Sequence, residues 1–160
     1  MVLRAFALAL VAALVSTSAV QAQERRKTPY WASIAAGRAM MRTGPGKTYP
    51  ATWLYSRADL PVRVIEVYPN WRKIQDPGGT TGWMLVTLLS DTRTALVTGS
   101  EPRTMHEKPD AASRIRYIVE PGVVGRHANC TDIWCEFTAK GKRGYIRTDA
   151  IWGVDPGESF

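Results

Sequence analysis

The sequence predicts an all-β protein built as two tandem small barrels. Three observations carry this expectation. A Trp-bearing hairpin pattern occurs twice, over residues 70–84 and 133–146. Short β-branched and aromatic runs alternate along the chain with turns rich in Gly and Pro. After the first 22 residues no stretch has the length and periodicity of a helix.

The first hairpin runs from Asn70-Trp71-Arg72-Lys73-Ile74-Gln75, through Asp76-Pro77-Gly78-Gly79-Thr80, to Thr81-Gly82-Trp83-Met84. Centred on Pro77, it sets Trp71 directly opposite Trp83. Side chains alternate along a strand, so Ile74 and Met84 take the other face and Lys73 and Thr81 join the Trp face. The second hairpin joins Ile133-Trp134-Cys135-Glu136-Phe137-Thr138 to Gly141-Lys142-Arg143-Gly144-Tyr145-Ile146. Centred near Ala139-Lys140, it sets Trp134 opposite Tyr145, with Cys135, Phe137 and Ile146 behind. Two hairpins with one face assignment define an internal repeat of roughly 60 residues per copy. A domain of that size is marginal alone, which favours packing of one copy on the other.

In chain order, Arg4 precedes an apolar run from Ala5 to Val15, and Val20-Gln21-Ala22 places small residues at a cleavage site. This is the pattern of a secretory signal peptide, so residues 1–22 are expected to be removed and the mature chain to start at Gln23. The run is shorter than the 18 or so apolar residues of a membrane span. The expected location is periplasmic or secreted, with no transmembrane segment after cleavage. Loss of Arg4 takes the net charge from +7 to +6, and the basic residues are scattered apart from Arg25-Arg26-Lys27. Such a balance suits anionic partners. Nucleic acid is not an expected partner outside the cytoplasm.

Residues 23–30 read as a flexible basic lead-in. The first domain is expected over 31–92 and the second over 93–153, with a tail at 154–160. Tyr30 to Ile34, Arg38 to Arg42, Trp53 to Arg57 and Pro61 to Tyr68 are the first strands. Thr43-Gly44-Pro45-Gly46-Lys47-Thr48-Tyr49-Pro50 can be only a shaped loop. In the second copy Ala95 to Thr98, Arg103 to Met105 and Ile115 to Val119 are strands, and 106–112 is a polar loop.

Cys130 and Cys135 are the only cysteines. In an oxidising compartment an isolated pair forms a disulfide. With His127 they could instead offer three metal ligands, but structural zinc takes four and no fourth is evident. The spacing is not that of a redox Cys-x-x-Cys pair. His106 and His127 are the only histidines, and neither sits in a nucleophile-like setting. No nucleophile elbow, phosphate loop or paired carboxylate is found. A non-enzymatic protein without cofactor or metal is expected.

Arg38-Ala39-Met40-Met41-Arg42-Thr43-Gly44-Pro45-Gly46-Lys47-Thr48-Tyr49-Pro50, followed by Gly82-Trp83 and Leu88-Leu89, resembles the bacterial Src homology 3 (SH3) domain, in the form found in exported Gram-negative proteins. The resemblance covers residues 31–92 well and 93–153 more loosely. In the second copy His106 replaces Arg42, and Glu107-Lys108-Pro109-Asp110 replaces the Gly-Pro-Gly loop. The resemblance implies two SH3-like barrels of five to six strands and a binding role, with cell-wall peptide the ligand in many exported members. Barrels of this kind hold extended peptides in aromatic grooves. Tyr49, Tyr55, Trp71 and Trp83 are the candidate groove, and Arg42 the candidate partner of a ligand carboxylate. The same rings could instead pack the barrel or the junction of the copies. The expected function is recognition of peptidoglycan or cell-wall peptide. Docking onto another envelope protein is the alternative.

Overall fold

The computed structural model describes residues 26–155, 157 and 158. The expected signal peptide and its cleavage point lie outside the described residues. The chain forms two seven-stranded antiparallel sheets. The first contains β1 (Tyr30–Ile34), β2 (Ala39–Arg42), β3 (Ala51–Tyr55), β4 (Pro61–Tyr68), β5 (Trp71–Gln75), β6 (Thr81–Leu85) and β7 (Leu89–Ser90). The second contains β8 (Thr94–Val97), β9 (Arg103–His106), β10 (Ile115–Val119), β11 (Val124–Ala128), β12 (Trp134–Ala139), β13 (Lys142–Arg147) and β14 (Ile151–Trp152). A single 3-10 turn precedes β7, at Val86–Leu88, and another precedes β14, at Thr148–Ala150.

The strand orders are β3-β2-β6-β5-β4-β1-β7 and β10-β9-β13-β12-β11-β8-β14. Adding seven to each label of the first gives the second. All-β architecture is therefore as expected, but closed barrels are not. Each sheet is open, with β3 and β7, or β10 and β14, at its two edges. The last strand of each sheet has only two residues, too few to pair with both a neighbour and the far edge.

Both hairpins keep the expected faces but not the expected register. Trp83 lies opposite Lys73, and Trp71 opposite Leu85. Tyr145 lies opposite Glu136, and Trp134 opposite Arg147. Each turn is centred one residue later than expected: on Gly78 in the first, between Lys140 and Gly141 in the second. Moving a turn centre by one residue slides the pairing by two, which preserves which face each side chain takes. Gly79 and Gly141 have φ of 83° and 75°, conformations that glycine adopts without steric cost, and they fix those centres.

The apolar faces make two cores. Ile34, Met41, Val62, Val64, Ile74 and Met84 fill the first. Val97, Met105, Cys135, Phe137, Ile146 and Ile151 fill the second. The halves meet where Trp31 stands edge-on to Trp152, with ring centroids 4.7 Å apart. Arg63 lies over Trp31 at 5.3 Å and pairs with Asp155 at 3.1 Å.

Candidate functional site

The five residues singled out by sequence do not form an open groove. Trp71 and Trp83 are each only 8 % exposed. They share the face away from the first core, and Tyr68 stands edge-on to Trp83 with centroids 6.3 Å apart. Tyr55 is buried, and its hydroxyl donates to Asp76 Oδ2 at 2.9 Å. Burial first, then the Asp76 hydrogen bond and charge, holds this phenol well above its ordinary pKa. Asp76 Oδ1 also accepts the Thr80 amide at 2.8 Å, so Tyr55 ties edge strand β3 to the β5–β6 turn. Arg42 Nη1 donates to the Tyr49 carbonyl at 2.7 Å, closing the loop between β2 and β3.

That loop explains its glycines. A Cβ at Gly44 would fall 2.3 Å from the Tyr49 ring, and one at Gly46 would fall 3.2 Å from it. The ring lies across the Gly-Pro-Gly backbone, which is as close as it can be only because the Cβ atoms are missing. Tyr49 is half exposed there, as are Trp53 on β3 and Tyr68 at the end of β4.

The second half builds the same loop with other side chains. Thr43 N donates to Pro50 O, and Glu107 N to Arg114 O. Gly46 N to Gly44 O and Tyr49 N to Gly46 O are matched by Asp110 N to Lys108 O and Ser113 N to Asp110 O. Every partner is 64 residues on. His106 replaces Arg42 and does its work: Nδ1 donates to the Ser113 carbonyl at 3.0 Å, and Nε2 lies 3.1 Å from the Thr104 hydroxyl. The change from Arg42 to His106 thus alters the staple and keeps the loop.

An open concavity lies elsewhere among the described residues. A cavity of about 620 Å³ is bounded by β1, β4, β5 and β7. Ala32, Val67, Val86 and Leu89 form an apolar floor; Tyr30, Arg72, Arg26, Ser90 and Asp91 form a polar rim. Arg72 Nε donates to the Tyr30 hydroxyl at 3.1 Å, and its Nη1 is anchored on the Tyr68 and Trp71 carbonyls. Arg26 pairs with Asp91 at 2.7 Å and lies over the Tyr30 ring at 5.0 Å. The cavity thus joins a small apolar floor to a more extensive polar rim that carries a guanidinium and a phenol. The sequence carried one unread signal for it. Arg72 has the same strand parity as Ile74, so a cation stands on the core-facing side where that face runs out of core.

The matching place in the second half is filled. Ala95 stands where Ala32 stands, since Ala32 pairs with Val62 and Ala95 with Gly125. One step of two residues back, Arg93 takes the place of Tyr30: Tyr30 pairs with Val64, and the Arg93 carbonyl accepts from His127 N. Cys135, opposite Ile146, takes the place of Arg72, opposite Met84. Cys135 and Cys130 form the expected disulfide. His127 Nδ1 lies 3.3 Å from the Cys130 sulfur. His127, Cys130 and Cys135 do converge within 4.8 Å, but sulfurs joined in a disulfide are not the thiolates that zinc requires. Burial first, and then the Arg93 charge, lowers the His127 pKa to about 4, so the ring is neutral at pH 7.

Val154 and Glu158 lie next to these residues. Val154 packs against the second core. Glu158 takes both Arg93 nitrogens, Nη1 at 2.6 Å and Nη2 at 2.9 Å, and accepts the Asp155 amide at 3.0 Å. Arg93 Nη2 also donates to the Gly153 carbonyl at 3.1 Å. Burial alone would raise the Glu158 carboxyl; the Arg93 and Asp155 hydrogen bonds outweigh it and hold the group below its usual value.

A family model described as "Bacterial SH3 domain" matches residues 35–91 and 100–153. The chain belongs to this family. Comparison with curated proteins finds no match. Among solved structures it is similar to NlpC2 from Trichomonas vaginalis, at 17 % identity and TM-score 0.33 over 80 % of this chain and 51 % of that one. NlpC1 from the same organism is similar at 16 % and 0.33, over 78 % and 46 %. An NlpC/P60 family protein from Bacillus cereus ATCC 10987 is similar at 13 % and 0.35, over 76 % and 55 %. The chain spans about half the length of these structures. Among the described residues no helix is long and apolar enough to cross a membrane.

Proposed function

We propose that this chain is an exported, non-enzymatic binding module that recognises cell-wall peptide. The observation that carries the reading is the open cavity beside β1 and β5, with its apolar floor and its Tyr30–Arg72 rim. Membership of the bacterial SH3 family, the leader-like first 22 residues and the basic net charge support it. The placement of the candidate chemistry supports a binding role over catalysis. Both cysteines are joined to each other, and His106 has both ring nitrogens engaged within its loop.

The test is co-sedimentation of the chain from Gln23 to Phe160 with purified sacculi. Arg72→Gln and Tyr30→Phe variants, checked for folding, run beside it. The parent is expected in the pellet and both variants mainly in the supernatant. A parent that stays wholly in the supernatant overturns the cell-wall reading. Docking onto an envelope protein then takes its place, and crosslinking in cells identifies the partner.

A further inference from the structure

We propose that β3, the outer strand of the first sheet, is a docking edge that takes an extended segment of a partner protein as one further strand, and that this segment is apolar in its middle and acidic at its ends. The inference goes beyond the cavity reading above. It concerns the opposite edge of the sheet and another class of ligand.

Among the described residues β3 pairs with β2 alone, so the backbone groups along its other side are left for a partner. Ala51, Thr52, Trp53 and Leu54 are all exposed, and none of the five residues of the strand is charged. Trp53 is 58 % exposed. Trp is a residue that folded proteins mostly cover, and free strand edges are mostly guarded by charge.

The second sheet has that guard. Its outer strand is β10, where Arg116, Tyr117 and Ile118 stand 64 residues on from Thr52, Trp53 and Leu54. Thr52 and Arg116 are each the extra residue of a bulge. Met41 pairs with Trp53 and Arg42 with Ala51, as Met105 pairs with Tyr117 and His106 with Ile115. The two edges therefore share one geometry. β10 exposes Ile115 and Ile118, but it sets Arg116 between them and brings Lys142 over the Tyr117 ring at 5.4 Å. β3 has the same shape without a cation on the strand.

The charge that β3 lacks stands at its two ends. Lys47 lies in the loop that enters it and Arg57 follows it. Arg38 adjoins the Arg57 end, because Ala39 pairs with Tyr55. All three cations are exposed. The Asp76 carboxylate is engaged by the Tyr55 hydroxyl and the Thr80 amide. Asp59, two residues past Arg57, belongs to the turn back to β1, where its amide donates to the Ile34 carbonyl at 2.8 Å.

This distribution selects the occupant. Antiparallel pairing of β3 with β3 of a second copy would bring the Lys47 end of each onto the Arg38 and Arg57 end of the other. Pairing with β10 of a second copy would add Arg114 and Arg116 to the same cations. A segment with acidic ends and a β-prone, apolar middle meets neither repulsion. It takes the free backbone groups by strand addition and covers Trp53. The length required is roughly 17 Å, five residues of extended chain.

The experiment is an NMR titration of the chain from Gln23 to Phe160 with three synthetic peptides. The first is Glu-Asp-Val-Thr-Val-Thr-Val-Asp-Glu. The second has Lys at the four acidic positions. The third is the acidic peptide with every backbone nitrogen of its middle methylated, which removes the donors that strand addition needs. The acidic peptide should shift the amides of Ala51 to Tyr55, and the other two should bind at least about tenfold more weakly. Trp53→Ala removes a side chain that lies mostly in solvent, so the fold is kept, and it should weaken the acidic peptide about tenfold. The double variant Lys47→Glu, Arg57→Glu should prefer the Lys peptide. No shift in β3, equal shifts from the acidic and Lys peptides, or undiminished binding of the methylated one overturns the inference. A dimer in sedimentation equilibrium that Trp53→Ala dissolves also overturns it and gives the edge to a second copy. Co-sedimentation with sacculi reads the cavity and should be unchanged in Trp53→Ala, so each reading can fail alone.

Discussion

The two halves share a strand order and a loop backbone, yet they finish their grooves in opposite ways. The first leaves Ala32 and Leu89 at the bottom of an open cavity. In the second, Val154 packs on the core, Arg93 at the position of Tyr30 holds Glu158, and the Cys130–Cys135 disulfide puts a sulfur at the position of Arg72. The difference teaches that the fold tolerates either an open or a filled groove. The cores show the same freedom. Phe137 fills the centre of the second half where Ile74 fills the first, and Gly125 stands where Val62 stands. A bulky ring and a missing side chain replace two aliphatics.

The largest expected effect tests that exchange. A Cβ at Gly125 would fall 2.6 Å from the Phe137 ring and 2.6 Å from the Thr138 carbonyl. Gly125→Val is expected to destabilise the second half by about 3 kcal/mol or more, because neither ring nor backbone can retreat in a packed core. Phe137→Ile added to it should restore part of the loss, since the volume then follows the first half. Urea denaturation of the three proteins measures both. If Gly125→Val leaves the midpoint unchanged, the Phe137 ring and the Thr138 backbone can give way and the close approach at Gly125 is not needed for stability.

The second effect is acid sensitivity confined to one half. Val64 lies at the position of His127, so only the second half carries a buried imidazole there. The folded pKa of His127 is lowered to about 4 from an ordinary 6.5, by burial first and then by Arg93. The unfolded chain therefore takes up the proton first. Stability from this group is full above about pH 6.5, falls as pH drops from 6.5 to 4, and is lost below. The whole change is about 3 kcal/mol at most. Glu158, whose value is also lowered, adds acid sensitivity at lower pH. Thermal unfolding from pH 7.5 to 4 should show the second half melting earlier as the medium acidifies. His127→Gln should flatten the slope above pH 5. An unchanged slope assigns the acid sensitivity to carboxylates alone.

Much of this was legible in the sequence, for definable reasons. Strand periodicity and turn residues located Pro61–Tyr68 and Ile115–Val119 to the residue. Parity alone put Ile74, Met84, Phe137 and Ile146 in the cores, because a register error of two does not change faces. The Cys130–Cys135 bond followed from there being only two cysteines. What sequence could not supply was the third dimension of the outer face. Trp71 and Trp83 have the composition of a groove, but pattern does not reveal that the rings are covered. Arg42 has the charge of a ligand contact, but its nearest acceptor is the Tyr49 carbonyl of its own loop. The open groove depends on Tyr30 and Arg72, 42 residues apart, and on what the chain does after β7.

A middle-sized effect concerns the disulfide. It spans six residues, so the entropy it removes from the unfolded chain is worth about 2 kcal/mol. Replacing both cysteines by serine should lower the stability of the second half by that order and leave the first unchanged. Hydrogen exchange resolves the two, by comparing amides of β5 with those of β12. Equal loss of protection in both would mean that the halves unfold as one unit, with the Trp31–Trp152 contact strong enough to couple them.

The smallest expected effect separates two roles for one residue. If Arg42 serves to close the loop, a histidine can replace it, because His106 closes the matching loop through the Ser113 carbonyl. Arg42→His should then change stability by no more than about 0.5 kcal/mol, whereas Arg42→Ala should lose about 1 kcal/mol for the unmade hydrogen bond. Neither should alter sedimentation with sacculi beyond what lost stability explains. A fully stable Arg42→His protein that no longer sediments would reverse the assignment. It would return the ligand contact to the Gly-Pro-Gly loop, and the groove beside Arg72 would have to be regarded as a second, separate concavity.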